Sequence, residues 1–255
     1  MKTRYFIKLS YKGTGYHGWQ IQPKALTVQA VLNRDMSIIL GEPVETCGAG
    51  RTDTGVHARV FFAHFDSEQD KLDSDQKLIW KINGKLPGDI SVHRIYKVSP
   101  EAHARYSALS RTYEYHIIRV KDPFLPEFAH SLYRQIDTRQ IVETTRILFE
   151  YTDFTSFSRV DTDVSTFICK IIRAEWSIDE HHMVFTITAD RFLRNMVRAI
   201  VGTLLDVGLG RTSPDGFRKI IESCNRTKAG SSVPAKGLFL TGIEYPESIF
   251  NVLCY

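Results

Sequence analysis

The order in which hydrophobic periodicities follow one another constrains this chain more than any bulk property. Residues 4–11, RYFIKLSY, alternate as a strand does. Thr27 then caps a helix whose apolar residues Val28, Val31, Leu32, Met36 and Ile39 keep helical spacing, and Gly41 ends it. Residues 44–49 and 57–66 read as strands flanking a glycine-rich turn. A helix at about 74–83 carries Leu78, Ile79 and Ile82 on one side, and 90–98 is a further strand. The order is β-α-β-β-α-β. The second half repeats it: a strand at 111–120, a helix at 138–149 capped by Asp137, and a hairpin of 168–178 with 183–189 around Asp179–His182. A long helix over 191–207, a shorter one opened by Ser213-Pro214-Asp215 and a strand at 237–245 complete it. The pattern predicts an α+β protein of two ferredoxin-like domains with mixed, mainly antiparallel sheets. No low-complexity linker separates them. The least regular stretch, 99–110, places the boundary so that 1–104 and 105–255 form the two domains.

A chain of 255 residues, 43% hydrophobic and 24% charged, has enough apolar surface for one large domain or two small ones. The net charge of +4 is a mild basic lean, so the placement of the arginines matters more than their number. Cys47, Cys169, Cys224 and Cys254 form no C-x-x-C pair, which argues against a disulfide framework or a cysteine zinc site. No run of signal-peptide length opens the chain, and none approaches the ~18 apolar residues of a membrane span. A reducing, cytoplasmic location is the expectation.

Over RFLRNMVRAIVGTLLDVG, Leu193, Val197, Ile200 and Leu204 fall on one helical face, and Arg191, Arg194 and Arg198 form a stripe on the other. A polar face open to solvent explains such a stripe. So does a surface for phosphates, which the planar guanidinium grips bidentately, and no acid interrupts the stripe before Asp206. Arg105, Arg111 and Arg119 interleave with Tyr106, Tyr113 and Tyr115, as in ordinary sheet packing or as in stacking platforms for unpaired nucleotides. Together these clusters favour a central basic cleft that binds RNA.

The stretch GAGRTDTGVHA, 48–58, sets one carboxylate, Asp53, between Arg51 and His57 in a turn with three glycines. It lacks the Gly-Lys-Ser/Thr of a Walker A loop and the third glycine of a dinucleotide fingerprint, and a strand follows it. No G-x-S-x-G or H-E-x-x-H occurs, and the turn holds no closely spaced pair of carboxylates. Two readings of Asp53 stand: a turn former bonded to nearby backbone N–H groups, or an ionised nucleophile kept charged by a guanidinium.

Seven segments in order, YKGTGYHGWQIQ (11–22), GAGRTDTGVHA, INGKLPGDI (82–90), HARYSALSRTYEY (103–115), DFTSFSR (153–159), FLRNMVRAIVGTLLDVG (192–208) and AKGLFLTGIEY (235–245), resemble the bacterial tRNA pseudouridine synthases of the A type. The resemblance spans the chain. It implies isomerisation of uridine to pseudouridine at positions 38, 39 and 40 of the tRNA anticodon stem-loop, by a homodimer needing neither metal nor organic cofactor. The family's catalytic aspartate falls on Asp53. Its active-site tyrosine falls on Tyr113, the arginine that pairs with the aspartate on Arg198, and the uracil-lining leucine on Leu238. Arg51, Arg105, Arg191 and Arg194 are expected to contact RNA. Thr54, where alanine also occurs, and Ala102, in place of an aromatic residue, depart from the family pattern. The competing reading is a non-catalytic RNA-binding protein of two ferredoxin-like modules, which leaves the lone aspartate of the turn unexplained.

Overall fold

A computed structural model of the chain describes residues 2–159 and 166–250; Cys254 and the chain ends lie outside them. These residues form nine strands and five α-helices in a mixed α/β fold with mainly antiparallel pairing, divided into two compact units.

The first unit runs to Leu109 and resumes at Leu240. It contains β1 (Thr3–Tyr11), α1 (Val28–Leu40), β2 (Cys47–Gly48), β3 (His57–Ser67), α2 (Gln76–Lys85) and β4 (Ile90–Lys97). β1 lies between β3 and β4 and is antiparallel to both; β2 is antiparallel to β3, with Cys47 opposite His64. Thr27 Oγ1 accepts the Ala30 N–H to start α1, and Gly41 closes it at φ 66°. Asp75 Oδ1 accepts the N–H groups of Lys77 and Leu78 to start α2. The strand expected over 44–49 shrinks to two residues. The N–H groups of Val44 and Thr46 are taken by Ser37 Oγ and Asn33 Oδ1 of α1, so they have no ladder partner to seek.

The second unit, Ser110–Phe239, contains β5 (Ser110–Ile118), β6 (His130–Ser131), α3 (Thr138–Thr145), β7 (Ile171–Ile178), β8 (His182–Ala189), α4 (Met196–Gly208) and α5 (Pro214–Glu222). β8 pairs antiparallel with both β5 and β7, and β6 lies parallel to β5. The helix expected to reach residue 149 tightens to a 3-10 turn after Thr145. There Thr144 and Thr145 turn their hydroxyls back onto the carbonyls of Gln140 and Ile141.

Two expectations are corrected. The division expected at 104/105 falls at 109/110. In addition, β9 (Leu238–Glu244) carries the chain out of the second unit and back to the first. The cause is burial between residues far apart in sequence: Tyr245 and Phe250 pack their rings on Phe6 and Phe62, and the Tyr245 hydroxyl donates to the Ala104 carbonyl at 2.6 Å. The second correction concerns the arginine stripe. α4 begins only at Met196, because Asn195 stands in the left-handed region at φ 68°, so Arg191 and Arg194 precede the helix. All of α4 except Arg198 and Asp206 is buried, so it is a core helix and not an amphipathic one.

Candidate active site

The Asp53 turn is shaped by another segment of the same unit, 11–19. The Tyr11 hydroxyl meets Thr52 Oγ1 at 2.8 Å, the Trp19 N–H donates to the Thr52 carbonyl, and the Gly55 N–H donates to the Tyr16 carbonyl. The Gly13 N–H donates to Nδ1 of buried His57 at 3.0 Å. Val56 N–H closes the turn on the Asp53 carbonyl at 3.1 Å, with Gly55 at φ 78°. Asp53 is half-buried, while Arg51 and Thr54 are exposed.

The glycines serve this close approach. A Cβ on Gly13 would stand 2.0 Å from the Val56 carbonyl oxygen, and one on Gly18, already at φ 84°, 2.3 Å from that of Thr52. Gly48 lies under the indole of Trp19, whereas Gly50 borders open space. So the glycines that matter are divided between the turn and the segment pressed against it.

A third segment secures the second. The Tyr16 hydroxyl donates to Asp89 Oδ1 at 2.6 Å, and the Lys12 N–H donates to the Asp89 carbonyl. Burial, and then this bond, push the Tyr16 phenol well above its ordinary pKa. Asn83 holds Val92 through both backbone groups, at 2.7 and 2.8 Å. Residues 82–90, conspicuous in the sequence without a role, thus anchor the 11–19 loop that holds Asp53. The signal for Tyr16 and Asp89 was there, but only the fold shows that they touch.

In the second unit, Tyr113 lies on β5 opposite Ile187, half-buried, with its ring edge-on to Phe192 at 5.1 Å. Two residues along, on the same face, buried Tyr115 donates its hydroxyl to the Pro234 carbonyl at 2.8 Å. Its burial raises its pKa, and the Arg198 charge partly offsets the rise. Arg198 Nε donates to the Val233 carbonyl at 2.7 Å. Gly237 is pressed on Tyr115, since a Cβ there would come within 2.9 Å of the ring, and Leu238 beside it is buried. Thus Arg198, the 233–238 segment and the Tyr113 strand form one connected arrangement.

Residues that sequence reasoning passed over fix the approach to it. Asn195 Nδ2 and Arg226 Nη2 both donate to Ser232 Oγ, and Arg226 Nη1 reaches the carbonyls of Ala229 and Gly230. Burial lowers the Arg226 pKa from its ordinary value. Gly202 of α4 lets this loop lie on the helix, as a Cβ there would meet the Ser231 carbonyl at 1.9 Å. A glycine in the middle of a buried helix was the available signal.

Arg194 is exposed and Arg191 half-buried. Arg105, in the first unit, is exposed, with its guanidinium 5.6 Å from the Tyr106 ring centroid. Cys47, His64 and His103 bring one donor atom each within 4.8 Å of one another. The rings are set for hydrogen bonding instead of coordination. His64 Nδ1 accepts the Ala104 N–H, and His103 Nδ1 accepts those of Arg105 and Tyr106. Each neutral ring therefore keeps its proton on Nε2, and that of His103 faces Cys47 Sγ at 3.8 Å. A metal-bound imidazole shows the opposite pattern, donating from its second nitrogen. Burial lowers His64 to about 4 and raises the Cys47 thiol.

The sequence matches the family described as tRNA pseudouridine synthase over residues 8–107 and 151–246. It is 54% identical over 249 residues to tRNA pseudouridine synthase A of Bacteroides fragilis, covering 97% of this chain and 98% of that protein. For the enzyme so named in Parabacteroides distasonis the identity is 51% and the coverage 98% of each chain. For that of Neisseria meningitidis serogroup B it is 36% over 97% of this chain and 94% of that one. The chain belongs to the tRNA pseudouridine synthases. The first stretch matched by this synthase family contains both Asp53 and the 11–19 and 82–90 segments that hold it; the second contains Arg198 and Leu238. Tyr113 falls between the two. No helix of the described residues is long and apolar enough to cross a membrane.

Proposed function

We infer that this chain is an isomerase that converts uridine to pseudouridine in tRNA, acting at positions 38, 39 and 40 of the anticodon stem-loop with Asp53 as its catalytic group. The observation that carries this reading is the construction around Asp53. Two further segments of the unit, through Gly13, Gly18, Tyr16 and Asp89, are spent on holding one short turn. A turn former needs no such support. A plain RNA-binding module would have no use for it either.

The reaction breaks the C1′–N1 bond, turns the uracil while it stays bound, and joins C5 to C1′; the C5 proton leaves and N1 takes one up. Asp53 assists by adding to C6, by attacking C1′, or by removing the ribose 2′ proton, and each route requires the ionised carboxylate at contact distance. Arg198 is assigned to pair with the Asp53 carboxylate. Tyr113 is assigned to stack on the uracil or to move the C5 proton, and Leu238 to line the uracil pocket. A paired uridine exposes neither C1′ nor C6, so it must be flipped out, at a cost of a few kcal/mol. Arg51 is assigned to the space it vacates, and Arg105, Arg191 and Arg194 to phosphates. Recognition by shape is consistent with action at three adjacent positions.

The proposal extends to architecture and setting: two ferredoxin-like units, a basic cleft, a homodimer, and the cytoplasm where tRNA matures. The strand order β4-β1-β3, with β2 beside β3, supports the ferredoxin-like reading of the first unit. The test is to map pseudouridine at nucleotide resolution in unmodified tRNA incubated with the purified chain. Pseudouridine confined to 38–40 is expected, and its appearance elsewhere, or nowhere, rejects the assignment.

A further inference from the structure

On α2, Leu78 and Ile82 face the core, while the opposite face carries Trp80, 78% exposed, with exposed Lys77 one turn before it; Lys81 and Lys85 are exposed as well. Helical geometry sets Lys77, Lys81 and Lys85 along one stripe, with consecutive ammonium stems about 6 Å apart along the axis, and Trp80 borders it at Lys77. Gly84, one turn beyond Trp80, meets nothing within 4 Å of where its Cβ would be. Glycine weakens a helix relative to alanine, and packing gives no reason for it here. The other two tryptophans have their places: Trp19 is 2% exposed, and Trp176 donates to Thr145 Oγ1 and packs on Phe185.

We propose that this face of α2 is a second RNA-docking surface, on which Trp80 stacks with an unpaired nucleotide of the tRNA while Lys77, Lys81 and Lys85 meet its phosphates. The proposal rests on tRNA being the substrate. An open aromatic face flanked by positive charge is the chemistry by which proteins hold unstacked bases. A protein partner fits less well, because lysine is depleted from the cores of protein interfaces. A second copy of the chain would bring the same three ammonium groups from each molecule into one interface. In sequence, Asp73 and Asp75 precede α2, with Asp75 engaged in capping it, and Asp89 follows it, engaged by the Tyr16 hydroxyl.

The test measures equilibrium binding of full-length tRNA across a salt series, with pseudouridine formation followed separately. Trp80→Ala should weaken binding roughly ten-fold, and Trp80→Phe should restore most of the loss. Changing Lys77, Lys81 and Lys85 together to Gln should lower the slope of log K against log salt by about two. In all three proteins turnover at saturating tRNA should match wild type. Emission from the exposed indole should become shielded from acrylamide when tRNA binds. Unchanged affinity and salt slope in folded variants overturn the proposal, as does a change of oligomeric state in Trp80→Ala, which would make the face an interface between copies. A wild-type chain that binds tRNA through Trp80 yet makes no pseudouridine would refute the catalytic reading and leave this one standing.

Discussion

Gly13→Ala is the sharpest probe of how the Asp53 turn is held. The added Cβ would lie 2.0 Å from the Val56 carbonyl oxygen, a distance that contacts of this kind reach only above 3.0 Å. One backbone must therefore retreat by about 1 Å, and β1, which ends two residues before Gly13, is fixed between two strands. The movement falls on Val56, whose N–H closes the turn on the Asp53 carbonyl. With Asp53 as the proposed catalytic group, a displacement of that size costs on the order of 100-fold in rate. Overpacking of this kind costs about 1–3 kcal/mol of stability. Gly15→Ala is the control, since it belongs to the same 3-10 turn and its Cβ meets nothing within 4 Å. Tritium release from tRNA labelled at C5 of uridine, read at saturating tRNA with thermal unfolding alongside, should show a large loss in kcat for Gly13→Ala and little for Gly15→Ala. Equal activities in the two variants would refute the steric argument, and so would equal losses.

Tyr16→Phe removes one hydroxyl and its 2.6 Å bond to Asp89, so it should lower kcat with little change in tRNA affinity. Asp89→Asn, which keeps an acceptor, should be milder than Asp89→Ala, and combining Tyr16→Phe with Asp89→Ala should add little to either. Arg198→Ala should lose activity that saturating tRNA does not restore; full recovery at saturation would reduce Arg198 to a phosphate contact. Acidification should destabilise the fold through His64. Its folded pKa of about 4 lies below the ordinary 6.5, so the unfolded chain binds the extra proton. The stability it contributes is intact above pH 6.5 and is lost as pH falls towards 4. Unfolding midpoints measured over this range should fall more steeply for wild type than for His64→Gln.

Much of this architecture is legible in the sequence because most elements carry their own start and stop chemistry. Thr27 and Gly41 bracket α1, Asp75 opens α2 and Ser213-Pro214 opens α5, each through a local hydrogen bond or backbone conformation. Where the deciding contact was distant, periodicity misled. Arg191 and Arg194 keep helical spacing with Arg198, but the left-handed Asn195, whose side chain bonds to Ser232, starts the helix after them. The closing segment joined the first unit through Tyr245 and Phe250, whose partners lie more than 140 residues away. At the site, Asp53 stood out by its company in GAGRTDTG. The supports Tyr16 and Asp89 lie 73 positions apart, and nothing local announces their bond.

The most direct test of the central claim is single-turnover pseudouridine formation by Asp53→Asn on full-length tRNA, with binding measured on the same preparation. Asparagine keeps the size of the side chain and one acceptor oxygen, replaces the other with an amide donor, and removes the charge. With Asp53 as the catalytic group, tRNA binding and thermal stability should stay close to wild type while tritium release from C5 is abolished. Substantial release by the folded variant would contradict it, and would return Asp53 to the role of a turn residue.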